Sequence, residues 1–84
     1  MAEVKFTPKG VCSMEIDFDI EDDRLYNVTF FGGCNGNLKA IGKLCEGKDA
    51  REIADILRGN ICGFRQTSCA DQFAQAIDQY YANN

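Results

Sequence analysis

Apolar and polar residues alternate without a break from Met14 to Glu21, in the order Met-Glu-Ile-Asp-Phe-Asp-Ile-Glu. A period of two over eight residues is the pattern of a half-buried strand, apolar on one face and acidic on the other. Glu21-Asp22-Asp23 is a polar turn, and Leu25 to Phe31, rich in β-formers, is the returning strand. Glu3 to Thr7 adds a short third strand. After Gly32-Gly33 the period changes. Leu38, Ile41 and Cys45 recur at helical spacing behind Cys34, predicting a helix from Cys34 to about Glu46 with Gly47 just past its end. Asp49 followed by Glu52 has capping-box spacing and opens a second helix, with Ile53, Ile56 and Leu57 inward and Gly59 at its end. Ser68 or Thr67 caps a last helix whose inward face is Phe73, Ile77, Tyr80 and Tyr81. Strands first and helices afterwards predict an α+β fold, in which an antiparallel sheet of two to three strands is covered on one face by about three helices.

Eighty-four residues make one small domain, read here as spanning 1–84. Its core is thin enough to gain from a covalent or metal staple. The formal charge of -4, with scattered lysines and arginines, argues against nucleic acid or an anionic membrane as partner. No apolar run is long enough to span a bilayer, and Met1 to Lys5 lacks the apolar stretch of a signal peptide. A cytoplasmic location is therefore expected, where thiols stay reduced. That setting and the odd number of cysteines, five, disfavour a disulfide framework.

The chain has no histidine, so its candidate chemistry is thiol chemistry. Cys12, Cys34, Cys62 and Cys69 lie in glycine- or serine-flanked corners, the positions of ligands or nucleophiles. Cys12 enters the first long strand with the parity of Ile16 and Phe18, and Cys34 follows the end of its hairpin partner. Cys69 opens the last helix, and Cys62 sits in the loop before it. The layout lets all four converge at one end of the sheet. Helix N-termini at Cys34 and Cys69 favour thiolate, the form that binds metal. Cys45 stands 11 residues from Cys34 on one helix, about 16 Å along the axis, and reads as a core thiol. The competing readings are apolar fillers of a thin core and a redox-active dithiol. Glu15, Asp17, Asp19 and Glu21 form an acidic ladder that alternation places on the solvent face. Gly32 to Gly36 is glycine-rich but no P-loop Lys-Ser/Thr pair follows it, and no zinc-deaminase signature is present.

Thr67-Ser68-Cys69-Ala70-Asp71 resembles the pentapeptide that names the TSCPD domain, with Ala70 where the family has proline. Proline there would only pre-set the first helical turn. The similarity extends to Gly10-Val11-Cys12-Ser13, to the stretch from Gly32 to Asn37, and to Cys62-Gly63. It implies four matching cysteines, Cys12, Cys34, Cys62 and Cys69, suspected to bind a metal, zinc or an iron–sulfur cluster. The same domain occurs at the C-terminal end of cobalamin-dependent ribonucleotide reductases. The resemblance thus implies an accessory module working with a protein partner, with no catalysis in isolation. A fainter similarity is to iron–sulfur scaffold proteins of the NifU/IscU type, which match the order of Cys12, Cys34, Gly47-Lys48 and Cys69 but have an aspartate after the first cysteine and a histidine before the third. It implies the alternative of sulfur or cluster transfer. A fourth thiolate in place of mixed ligands moves such a site toward a closed, structural one.

Overall fold

The computed structural model describes residues 2–8, 13–32, 35–60 and 68–83. Three strands, β1 (Ala2–Phe6), β2 (Ser13–Glu21) and β3 (Arg24–Gly32), precede three helices, α1 (Asn35–Cys45), α2 (Ala50–Leu57) and α3 (Cys69–Ala82). The strands form an antiparallel sheet in the order β1-β2-β3. The α+β arrangement expected from the change of period is the one observed.

The β2–β3 hairpin closes through Asp22 and Asp23, whose φ angles of 53° and 63° are both positive. Two consecutive left-handed residues make the tight turn whose twist matches that of the flanking strands. Along β2 the alternation works as read, with Ile16, Phe18 and Ile20 buried on the helix-covered face. On β3 it does not run uniformly. The pairing shifts register between Asp17 and Asp19, and Asn27 takes a positive φ of 55° opposite that shift. The extra residue is a β-bulge. It lets Leu25, Val28 and Phe30 all pack on the core although their spacing breaks period two, and it leaves Phe31 47% exposed. A second shift, between Ser13 and Glu15, lies between position 12 and the regular part of β2. Cys12, expected on the covered face, lies outside the described residues.

The sheet's two edges differ. β3 is covered near the hairpin turn by the α1–α2 connection: Leu25 N donates to the Lys48 carbonyl at 2.9 Å, Gly47 N to the Leu25 carbonyl at 2.7 Å, and Ala50 N to the Asp23 carbonyl at 2.8 Å. The bulge amide of Asn27 donates to Glu46 Oε1 at 2.9 Å. Gly47 supports this path with a φ of 73°. Alongside, α1 lies against β3 so closely that a Cβ on Gly42 would stand 2.8 Å from the Val28 carbonyl oxygen. The outer edge of β1 pairs with no strand among the described residues.

The core centres on Phe73 of α3. Its ring meets Phe18 edge-on at 5.2 Å and Phe30 at 5.7 Å between centroids. Cys45, Ala50, Ala54, Ala74, Ala76 and Ile77 join it and the buried residues of β2 and β3, with Tyr80 and Tyr81 packed against the cluster. On α2 the inward side is Ala50 and Ala54, with Ile53 and Leu57 half-buried. Ile56, expected inward, is 65% exposed. The helix turns its alanine stripe to the core instead, which lets α2 approach α3 closely.

A candidate thiol centre at the open end of the hairpin

α3 gives the site its direction. At its C-terminal end the Tyr81 hydroxyl donates to Asp23 Oδ1 at 2.8 Å, so this end of the helix lies over the hairpin turn. Midway, Phe73 covers Phe18 and Phe30. The N-terminal end, with Cys69 as its first residue, therefore points toward the open end of the hairpin, where Ser13 pairs with Gly32. Ser13 directly follows Cys12, and Gly32 stands two residues before Cys34.

Ser68 caps α3, as one of the two sequence readings had it. Its hydroxyl oxygen accepts from Asp71 N at 3.0 Å, and its own proton goes to the Asn60 carbonyl. Asp71 then binds back to the end of α2. Its Oδ1 accepts from Gly59 N at 2.7 Å, while Oδ2 accepts from Gln75 Nε2 at 3.0 Å. Asp71 is 7% exposed, so these bonds replace water that burial has removed. Asn60 and residue 68 are thereby held together, and Cys62 is two residues beyond Asn60 in the chain that joins them. Asp71 and Asn60 were not among the residues read as functional. The one signal for Asp71 is its place in the pentapeptide that ends Ser68-Cys69-Ala70-Asp71.

Of the two cysteines within the described residues, Cys45 is the core thiol expected. Cys45 is 2% exposed in the core, and burial pushes its thiol up from 9.0 to about 11. A thiol so reluctant to ionise is a poor ligand and nucleophile. Cys69 is only half-buried, at the first turn of a helix. Cys12, Cys34 and Cys62 lie outside the described residues. Among the described residues no group of three cysteine or carboxylate side chains could hold a metal ion.

The acidic ladder is less solvated than alternation implied. Glu15, Asp17 and Asp19 are each half-buried, and Asp17 Oδ1 is buried with no hydrogen-bond partner among the described residues. Glu15 shares a hydrogen bond with Asp17 that holds its carboxyl above the usual range, and the charge of Asp17 adds to the effect. Asn27 Nδ2 donates to Asp19 at 2.8 Å. Among the described residues no helix is long and apolar enough to cross a membrane.

The architecture is thus a three-stranded meander with a helical layer, whose last helix starts in a capped Ser-Cys corner aimed at the hairpin's open end. The chain belongs to the TSCPD domain family, whose model matches residues 1–81. No curated protein and no solved structure matches it.

Proposed function

We propose that Cys12, Cys34, Cys62 and Cys69 together hold one metal centre, zinc or an iron–sulfur cluster, and that the protein is an accessory module serving a partner in ribonucleotide reduction. The observation that carries the reading is the direction of α3. It aims Cys69 at the end of the sheet where Ser13 pairs with Gly32, one and two residues in the chain from Cys12 and Cys34. The Ser68–Asn60 bond supports the fourth by tying together the ends of the segment that contains Cys62.

The donor set fits such a group. Four thiolates suit zinc and iron–sulfur clusters alike, and both bind the deprotonated form. Cys69 is half-buried as the first residue of α3, whereas burial keeps Cys45 protonated and so unsuited to the site. Bound metal would supply cross-links between hairpin, loop and last helix that an 84-residue core can use. The link to ribonucleotide reduction rests on family membership.

Elemental analysis and an absorbance spectrum of anaerobically purified protein test the reading. One zinc per chain, or the colour of a cluster, is the expected result, with Cys69→Ser losing metal and Cys45→Ala retaining it. Metal-free wild-type protein, or loss of metal in Cys45→Ala, overturns it. Efficient passage of a reconstituted cluster to an acceptor would favour a transfer role over a structural one.

A further inference from the structure

We infer that the outer edge of β1, unpaired among the described residues, is a self-association surface, joining two copies of this chain into one continuous six-stranded antiparallel sheet. β1 and β3 are the two edge strands, and they are treated differently. β3 is covered by the 46–50 connection and by α1, whereas β1 has no such cover among the described residues. An edge strand presents backbone N–H and C=O groups ready to pair with another strand.

Charge selects the occupant. Glu3 and Lys5 flank Val4 and face away from the helices, with side chains 67% and 63% exposed. An antiparallel copy of β1 centred on Val4 places Glu3 opposite the second copy's lysine, and Lys5 opposite its glutamate. Residues directly opposite across two strands share a face and interact. Within one chain, Glu3 stands opposite Asp19 of β2, a like-charge pairing that is unfavourable. Within the chain Glu3 also meets Lys5 Nζ at 3.8 Å, and in the dimer it gains a second lysine on its other side. Lys5, opposite Asp17 and paired with Glu3 of its own chain, likewise gains a further acidic neighbour. On the covered face the same register sets Val4, half-buried in one copy, against Val4 of the other.

A cleft of about 670 Å³ runs beside this edge, between Lys5, Phe6 and Thr7 on one wall and Gln72, Gln75 and Gln79 of α3 on the other. The register puts Ala2 of the second copy opposite Phe6, so the N-terminal end of the incoming strand lies along the mouth of the cleft. Five paired residues make a small interface, and the association is weak and concentration-dependent. It requires no thiol or metal and is independent of the proposed metal centre.

Sedimentation equilibrium of the full chain in reducing buffer, over a concentration series reaching the millimolar range, is the test. A reversible monomer–dimer equilibrium is expected. Glu3→Lys and Lys5→Glu should each weaken it roughly tenfold, since two attractive cross-strand pairs become repulsive. An equimolar mixture of these two variants should form a heterodimer at least as tight as the wild-type homodimer. The double variant Glu3→Lys/Lys5→Glu should restore homodimerisation. Both positions are exposed, so all variants should keep the wild-type circular dichroism spectrum. A chain that stays monomeric throughout, or a dimer indifferent to both single variants, overturns the inference.

Discussion

Cys45 and Glu15 each carry a proton whose affinity the fold has raised, and each makes stability depend on pH in a calculable direction. For Cys45 the unfolded thiol ionises near 9.0 and the native one near 11, so unfolding releases a proton between those values. Stability contributed below pH 9 is therefore lost as pH rises from 9 toward 11. Cys45→Ala should remove that loss in urea melts recorded at pH 8 and 10.5. Tyr81, pushed up to about 12 by burial and its bond to Asp23, governs the range above. Cys45→Ser, which buries a hydroxyl in an apolar cluster, should cost about 1–3 kcal/mol at neutral pH.

Glu15 sits beside Asp17 on the outer face of β2, and its carboxyl is held above the ordinary 4.5. A raised native value means that the protonated form is favoured by folding, so ionisation at neutral pH works against the native state. Glu15→Gln is expected to raise the urea midpoint at pH 7 and to leave it unchanged near pH 3, where the carboxyl is protonated in both states. An unchanged midpoint at pH 7 would show that the neighbouring charge is fully screened.

Among the elements, α1 is the one whose placement depends on a missing side chain. Alanine in place of glycine in a helix normally stabilises by about 1 kcal/mol. At Gly42 the added methyl would meet the Val28 carbonyl, part of a strand fixed by its own ladder. Gly42→Ala should therefore destabilise, by about 1–3 kcal/mol, as helix and strand are forced apart. Chemical denaturation reads the sign directly. The β2 pattern, the Asp49 and Ser68 caps and the glycine stops were all legible because capping and alternation are local rules. The bulge at Asn27 and the outward position of Ile56 were not. Each depends on what the neighbouring element offers: a β2 register to match in one case, an alanine stripe that packs closer in the other.

At the scale of the molecule, the proposed metal centre would couple to the fold. Metal bound by residues as far apart in the chain as Cys12 and Cys69 would contribute its binding energy to folding. Treatment of the native protein with a strong chelator is expected to lower its thermal midpoint and to release metal in the same transition. Cys45→Ala should respond to chelator as the wild type does, and Cys69→Ser should not respond. Metal release with no change in the midpoint would separate the site from the fold.

From the sequence alone came the order of strands and helices, the hairpin, the two helix caps, the family and the place of Cys45 in the core. These follow from spacing along the chain, where the interacting groups are a few residues apart. Tertiary structure decided which way α3 runs across the sheet, that β3 carries a bulge, and that, among the described residues, one edge is covered while the other pairs with no strand. These outcomes join residues as distant as Asp23 and Tyr81, or Leu25 and Lys48. Such contacts are settled only when whole elements compete for the same apolar surface, and no local pattern records the result.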